Sequence, residues 1–68
     1  MAYHVGLYRV VRGKRLATIA EATIKAKTHR EAVTRARGWA ATVDGNDGSW
    51  LEVLHNGACI KRFAPGQF

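Results

Sequence analysis

The sequence predicts a small α+β domain of order β-β-α-β-β, an antiparallel sheet with one helix packed on one face. Three observations carry this. Asn56-Gly57 separates two β-rich runs, Thr28 to Glu31 reads as a helix start, and a Val-, Tyr- and Leu-rich run precedes both. Asn-Gly is the favoured pair for a two-residue type I′ hairpin. Thr-x-x-Glu is a capping box, in which the hydroxyl accepts from the third amide and the carboxylate reaches back to the first.

Tyr3 to Arg12 reads as the first strand. Gly13-Lys14 then serves as a tight turn, with glycine supplying positive φ at the first corner. Leu16 to Lys27 reads as the second strand. Its alanines at 17, 20, 22 and 26 would also suit a helix, but Thr18, Ile19, Thr23 and Ile24 are β-branched. So thin an apolar content predicts a bulge or an edge position. After Thr28, residues Ala32, Val33, Ala36, Trp39, Ala40 and Val43 recur on one helical face. Three alanines let that helix sit close to a sheet, and Trp39 is expected to supply most of its buried area. Gly38 lies opposite that face. Asp44 to Gly48 ends the helix, Ser49 to His55 and Ala58 to Phe63 form the last hairpin, and Pro65-Gly66 closes the chain.

A two-residue turn sets the register of the last hairpin. Regular pairing places His55 opposite Ala58, Leu54 opposite Cys59, Val53 opposite Ile60, Glu52 opposite Lys61, Leu51 opposite Arg62 and Trp50 opposite Phe63. One face then carries Leu51, Val53 and Ile60, the compact choice for a core against the helix. The other carries Trp50, Leu54, Cys59 and Phe63 around a Glu52–Lys61 ion pair. One helix cannot cover both faces, and a bare apolar face marks an interaction surface.

The 68 residues admit a single domain, residues 1–68, with a short tail from about residue 64. A chain this short buries only about 60% of its unfolded surface. Its one cysteine cannot form an intrachain disulfide. Stability must come from regular secondary structure or from a partner. Eleven Lys and Arg against five Asp and Glu give a net charge of +6, a balance that serves solubility or draws polyanions. No apolar run approaches the ~20 residues needed to span a bilayer, so no membrane partner is implied. The N-terminus lacks a signal-peptide pattern, and with one cysteine the expected location is cytoplasmic.

Catalytic and metal-binding patterns fail on their own spacing. His55 and Cys59 are near in sequence but project from opposite faces, so they form no thiol–imidazole pair. The histidines at 4, 29 and 55 lack metal-ligand spacing. Asp44-Gly45-Asn46-Asp47-Gly48 opens like a calcium loop, yet Ser49 stands where Gly is required and His55 where Glu is required. Gly13-Lys14 looks like the end of a phosphate loop, but Tyr8 replaces its first glycine and Arg15 its magnesium-binding hydroxyl. Glu31 is expected in a cap and Glu52 in an ion pair, leaving no paired carboxylates. The expectation is a protein that is not an enzyme, with no cofactor, no metal and no small-molecule substrate.

From Thr28 onward the chain resembles a family of small bacterial proteins known only as a domain of unknown function. The residues that carry it are Thr28, Glu31, Ala32 and Ala36, then Val53, His55, Gly57, Ile60, Lys61 and Arg62. The first hairpin matches in length and strand character only. The resemblance implies a β-β-α-β-β fold and brings no activity with it.

The leading functional expectation is a non-enzymatic binding module that self-associates as a homodimer through Trp50, Leu54, Cys59 and Phe63. The alternative is a nucleic-acid-binding accessory protein. Its phosphate contacts are assigned to Arg12, Lys14 and Arg15 at the first hairpin tip, with Lys25, Lys27 and Lys61. Its sheet aromatics would stack on bases.

Overall fold

The computed structural model describes residues 1–68. It contains β1 (Ala2–Val11), β2 (Lys14–Lys25), α1 (His29–Thr42), β3 (Trp50–His55) and β4 (Ala58–Phe63). All four strands form one antiparallel sheet in the order β2-β1-β3-β4, so β1 and β3 are central and β2 and β4 are edges. This is the β-β-α-β-β fold the sequence predicts.

Strand alternation decides which side chains meet the helix. Tyr3, Val5 and Leu7 of β1 and Leu51 and Val53 of β3 point to one face, where they are fully buried with Ala32, Ala36 and Ala40 of α1. Alanine at i, i+4 and i+8 gives α1 a flat stripe, so its backbone lies close to the large residues of the sheet. Trp39 is partly buried and packs against this core. Gly38 faces open space, and a methyl added there would meet nothing within 4 Å, as its place on the helical wheel predicts.

The helix start is half of a capping box. Thr28 Oγ1 accepts from the Glu31 amide at 3.1 Å. The Glu31 carboxylate does not reach back. It pairs instead with Arg35 one turn on, at 3.0 Å, and Arg35 also donates to the Lys25 carbonyl at 2.9 Å. A guanidinium offers a charged partner where the Thr28 amide offers a neutral one. At the other end, the Ala40 carbonyl accepts from both the Val43 amide at 3.2 Å and the Asn46 side-chain amide at 2.8 Å.

Three bulges shape the sheet. In β2, Ile19 and Leu16 are the extra residues, since Leu7 and Tyr8 pair with Ala20 and Thr18, and Arg9 and Val10 pair with Ala17 and Arg15. The weak second strand is thus both an edge and bulged. In β4, Leu54 pairs with Cys59 but Val53 pairs with Lys61, which makes Ile60 the extra residue. Each bulge adds one residue and turns every later side chain to the other face.

The first turn sits one residue earlier than expected. Its corners are Arg12 (φ 54) and Gly13 (φ 76), and Lys14 already belongs to β2. The tail is tied down: Phe68 packs on Phe63 with ring centroids 6.4 Å apart, and the Gln67 side chain accepts from the Ala64 amide at 2.9 Å.

Candidate functional site

The bulge at Ile60 redraws the last hairpin beyond its first two pairs. His55–Ala58 and Leu54–Cys59 are as expected, but Glu52 faces Arg62, Val53 faces Lys61 and Leu51 faces Phe63. The expected Glu52–Lys61 ion pair and Trp50–Phe63 aromatic pair therefore do not form. Phe63 lies on the helix side of the sheet, flanked by Lys61 (5.3 Å) and Arg37 (5.6 Å) over its ring. Of the four residues assigned to the open face, Trp50, Leu54 and Cys59 remain there and Phe63 leaves.

Glu52 is the centre of that face. It lies opposite Gly6 of β1, whose missing side chain leaves the carboxylate room; a Cβ there would stand 4.0 Å from Glu52 Oε1. Glu52 is only 5% exposed, although no helix covers this side. Its cover is two arginines. Arg15 binds Oε1 at 3.0 Å and Arg62 lies 3.9 Å from Oε2. A carboxylate so dehydrated needs such partners, because a lone buried charge costs several kcal/mol.

Arg15 reaches Glu52 across Tyr8. Its guanidinium lies 4.1 Å from the centre of the Tyr8 ring, close enough for a cation–π contact. Tyr8 is 4% exposed in consequence. Burial pushes its phenol above the ordinary value of 10; Arg62 and Arg15 oppose the shift and Glu52 adds to it. Tyr8, Val10, Gly13, Arg15, Trp50 and Arg62 together line a cleft of about 400 Å³. Gly13, in the first hairpin turn, shares it with Arg62 of the far edge strand. Two bulges on one strand raise its local twist and bring the turn round.

Beyond Tyr8 the first hairpin stands alone. β3 pairs with β1 only from His4 to Tyr8, whereas β1 and β2 stay paired out to Val11 and Lys14. The result is a two-stranded arm carrying Arg9, Arg12, Lys14 and Arg15. Arg9 donates to the Gly45 carbonyl at 3.4 Å, and Val11 and Leu16 are exposed.

The cations assigned to phosphate do not form one patch. Arg12, Lys14 and Arg15 cluster on the arm. Lys25 and Lys27 lie at and beyond the far end of β2, roughly 30 Å away for the nine paired steps at ~3.3 Å each. Lys61 is on the helix side. Arg62, which regular pairing puts on the helix side, is the cation that joins Arg15.

Sequence reasoning also missed a ring cluster on the helix side. Tyr3 lies 2.8 Å from His29 Nδ1 through its hydroxyl, and stacks on His55 with centroids 4.6 Å apart. His29 starts α1 and His55 ends β3, so no spacing rule links them. The third histidine, His4, lies on the open face, 3.5 Å from Glu21. No helix is long and apolar enough to cross a membrane.

Compared with family models, curated proteins and solved structures, the chain matches none.

Proposed function

We propose that this protein is a non-enzymatic binding module that holds nucleic acid on the helix-free face of its sheet and along its basic arm. The observation that carries this reading is the convergence of Arg15, Arg62 and Trp50 on one cleft, with Arg12 and Lys14 beside it in the adjoining hairpin turn. Two guanidiniums against one carboxylate leave a positive surplus beside an aromatic ring. Phosphate and base ask for that combination. The departure of Phe63 weighs in the same direction, because the face is now less apolar and more cationic than a homodimer contact needs.

Fluorescence anisotropy with a labelled oligonucleotide across a salt series tests the proposal. Four engaged cations predict a log–log salt slope near −3 on a single strand, at ~0.7 per phosphate. Affinity that does not fall with salt would sink it.

A second copy of the chain is the other reading, supported by the unpaired outer edge of β2 and by exposed Val11 and Leu16. Free strand edges of this length invite pairing. Sedimentation should then show mass doubling as concentration rises, and a monomer throughout removes this reading.

A further inference from the structure

The cleft at the foot of the arm is shallow and open to solvent. Tyr8, Trp50, Arg15 and Arg62 line it, with Arg15 lying over the Tyr8 ring. At about 400 Å³ it falls within the ~300–1,000 Å³ span of small-ligand sites. It therefore suits a unit of one nucleotide. In a duplex the base faces are stacked on each other and no ring is free to enter; only an unpaired base can lie on an aromatic side chain.

The two arginines differ in how firmly they are held. Arg15 is fixed twice, by Glu52 at 3.0 Å and by the Tyr8 ring at 4.1 Å. Arg62 stands off at 3.9 Å, with more than half of its side chain exposed. Each guanidinium has five N–H donors, and one carboxylate cannot occupy both sets. Glu52 thus positions the pair without cancelling it, and Arg62 is the one free to turn outward.

We infer that this cleft binds one unpaired nucleotide of a single strand, with its base on Trp50 and its phosphate on Arg62 and Arg15. The inference rests on the nucleic-acid reading above and adds the form of nucleic acid and the residue that selects it.

The test compares a labelled single-stranded oligonucleotide with its own duplex, using the full chain at fixed salt. Trp39→Phe makes Trp50 the sole tryptophan, since the chain has two. The single strand should bind at least about tenfold more tightly than the duplex and quench Trp50 emission. Trp50→Ala should weaken single-strand binding about tenfold or more, as expected for one stacked base, and leave duplex binding unchanged. Trp50→Phe, which keeps a ring and guards against loss of fold, should retain most of the affinity. Equal affinity for duplex and single strand overturns the inference. So does a loss on Arg12→Ala or Lys14→Ala with none on Trp50→Ala, although the nucleic-acid reading then stands. Absence of salt-sensitive binding to either oligonucleotide removes both.

Discussion

Hairpin β1–β2 and hairpin β3–β4 turn at matched corners, with φ 54 and 76 at Arg12-Gly13 and 52 and 82 at Asn56-Gly57. Both pairs of values belong to a type I′ turn. Asn tolerates the left-handed region well, and Arg does not. The β3–β4 hairpin thus has the residue its geometry favours, and the arm has a costlier one that projects a cation from its tip. The strands differ in the same sense. β3 places Leu51 and Val53 in the core, while the distal part of β2 leaves Leu16 63% exposed. One hairpin is built for stability. The other gives some up where its charge is displayed, as the proposed binding arm would require.

The contrast is sharpest for one change made in each hairpin. Leu51→Ala, at a fully buried site, should cost about 2–5 kcal/mol. Leu16→Ala should stay within about 0.5 kcal/mol. Urea unfolding of the two variants measures both, and similar costs would mean that the arm packs on something in solution.

The next largest effect lies where the hairpins meet. Replacing both Arg15 and Arg62 with Ala strips Glu52 of its partners and should destabilise by about 2–3 kcal/mol. That is below the 3–5 kcal/mol of a fully enclosed pair, because water can follow the vacated side chains. The sum of the two single losses should differ from the double loss, since both arginines share one carboxylate.

Exchanging the corner residues tests the turn comparison directly. Arg12→Asn should raise stability by about 0.5 kcal/mol and Asn56→Arg should lower it by a similar amount. Thermal unfolding reads the sign. Arg12→Asn should also flatten the salt slope of oligonucleotide binding by ~0.7. A variant that gained stability and lost no binding would show that Arg12 is not at the site.

The smallest effect is confined to alkaline pH. The native Tyr8 phenol titrates above 10, while in the unfolded chain it titrates at its ordinary value. Below pH 10 both states keep the proton and its stabilising share is fully present. As pH climbs from there toward the raised native value, the unfolded state loses the proton first, so stability falls. Tyr8→Phe should make the alkaline decline shallower in a pH series of urea midpoints, and an unchanged decline would place the titration elsewhere.

The order and type of the elements were legible in the sequence because they rest on local chemistry. Thr28 caps a helix wherever its neighbour's amide is free, Asn-Gly turns a hairpin, and alanines at i, i+4 and i+8 share one face. The weakness of the second strand was legible too, as an edge and a bulge. The placement of the candidate residues was legible only in part: Arg12, Lys14 and Arg15 stand on the arm, and Trp50, Leu54 and Cys59 on the open face. Only the tertiary structure decided that Arg62 joins them and Phe63 does not. One extra residue at Ile60 reverses the faces of everything after it, and no local pattern in Ala58 to Phe63 announces the insertion. The same holds for Glu52, whose two arginines come from β2 and β4. It holds also for His29 and His55, which meet only because the helix start and the end of β3 close over the Tyr3 ring. Local preferences determine elements, whereas a register set by packing determines which side chains share a surface.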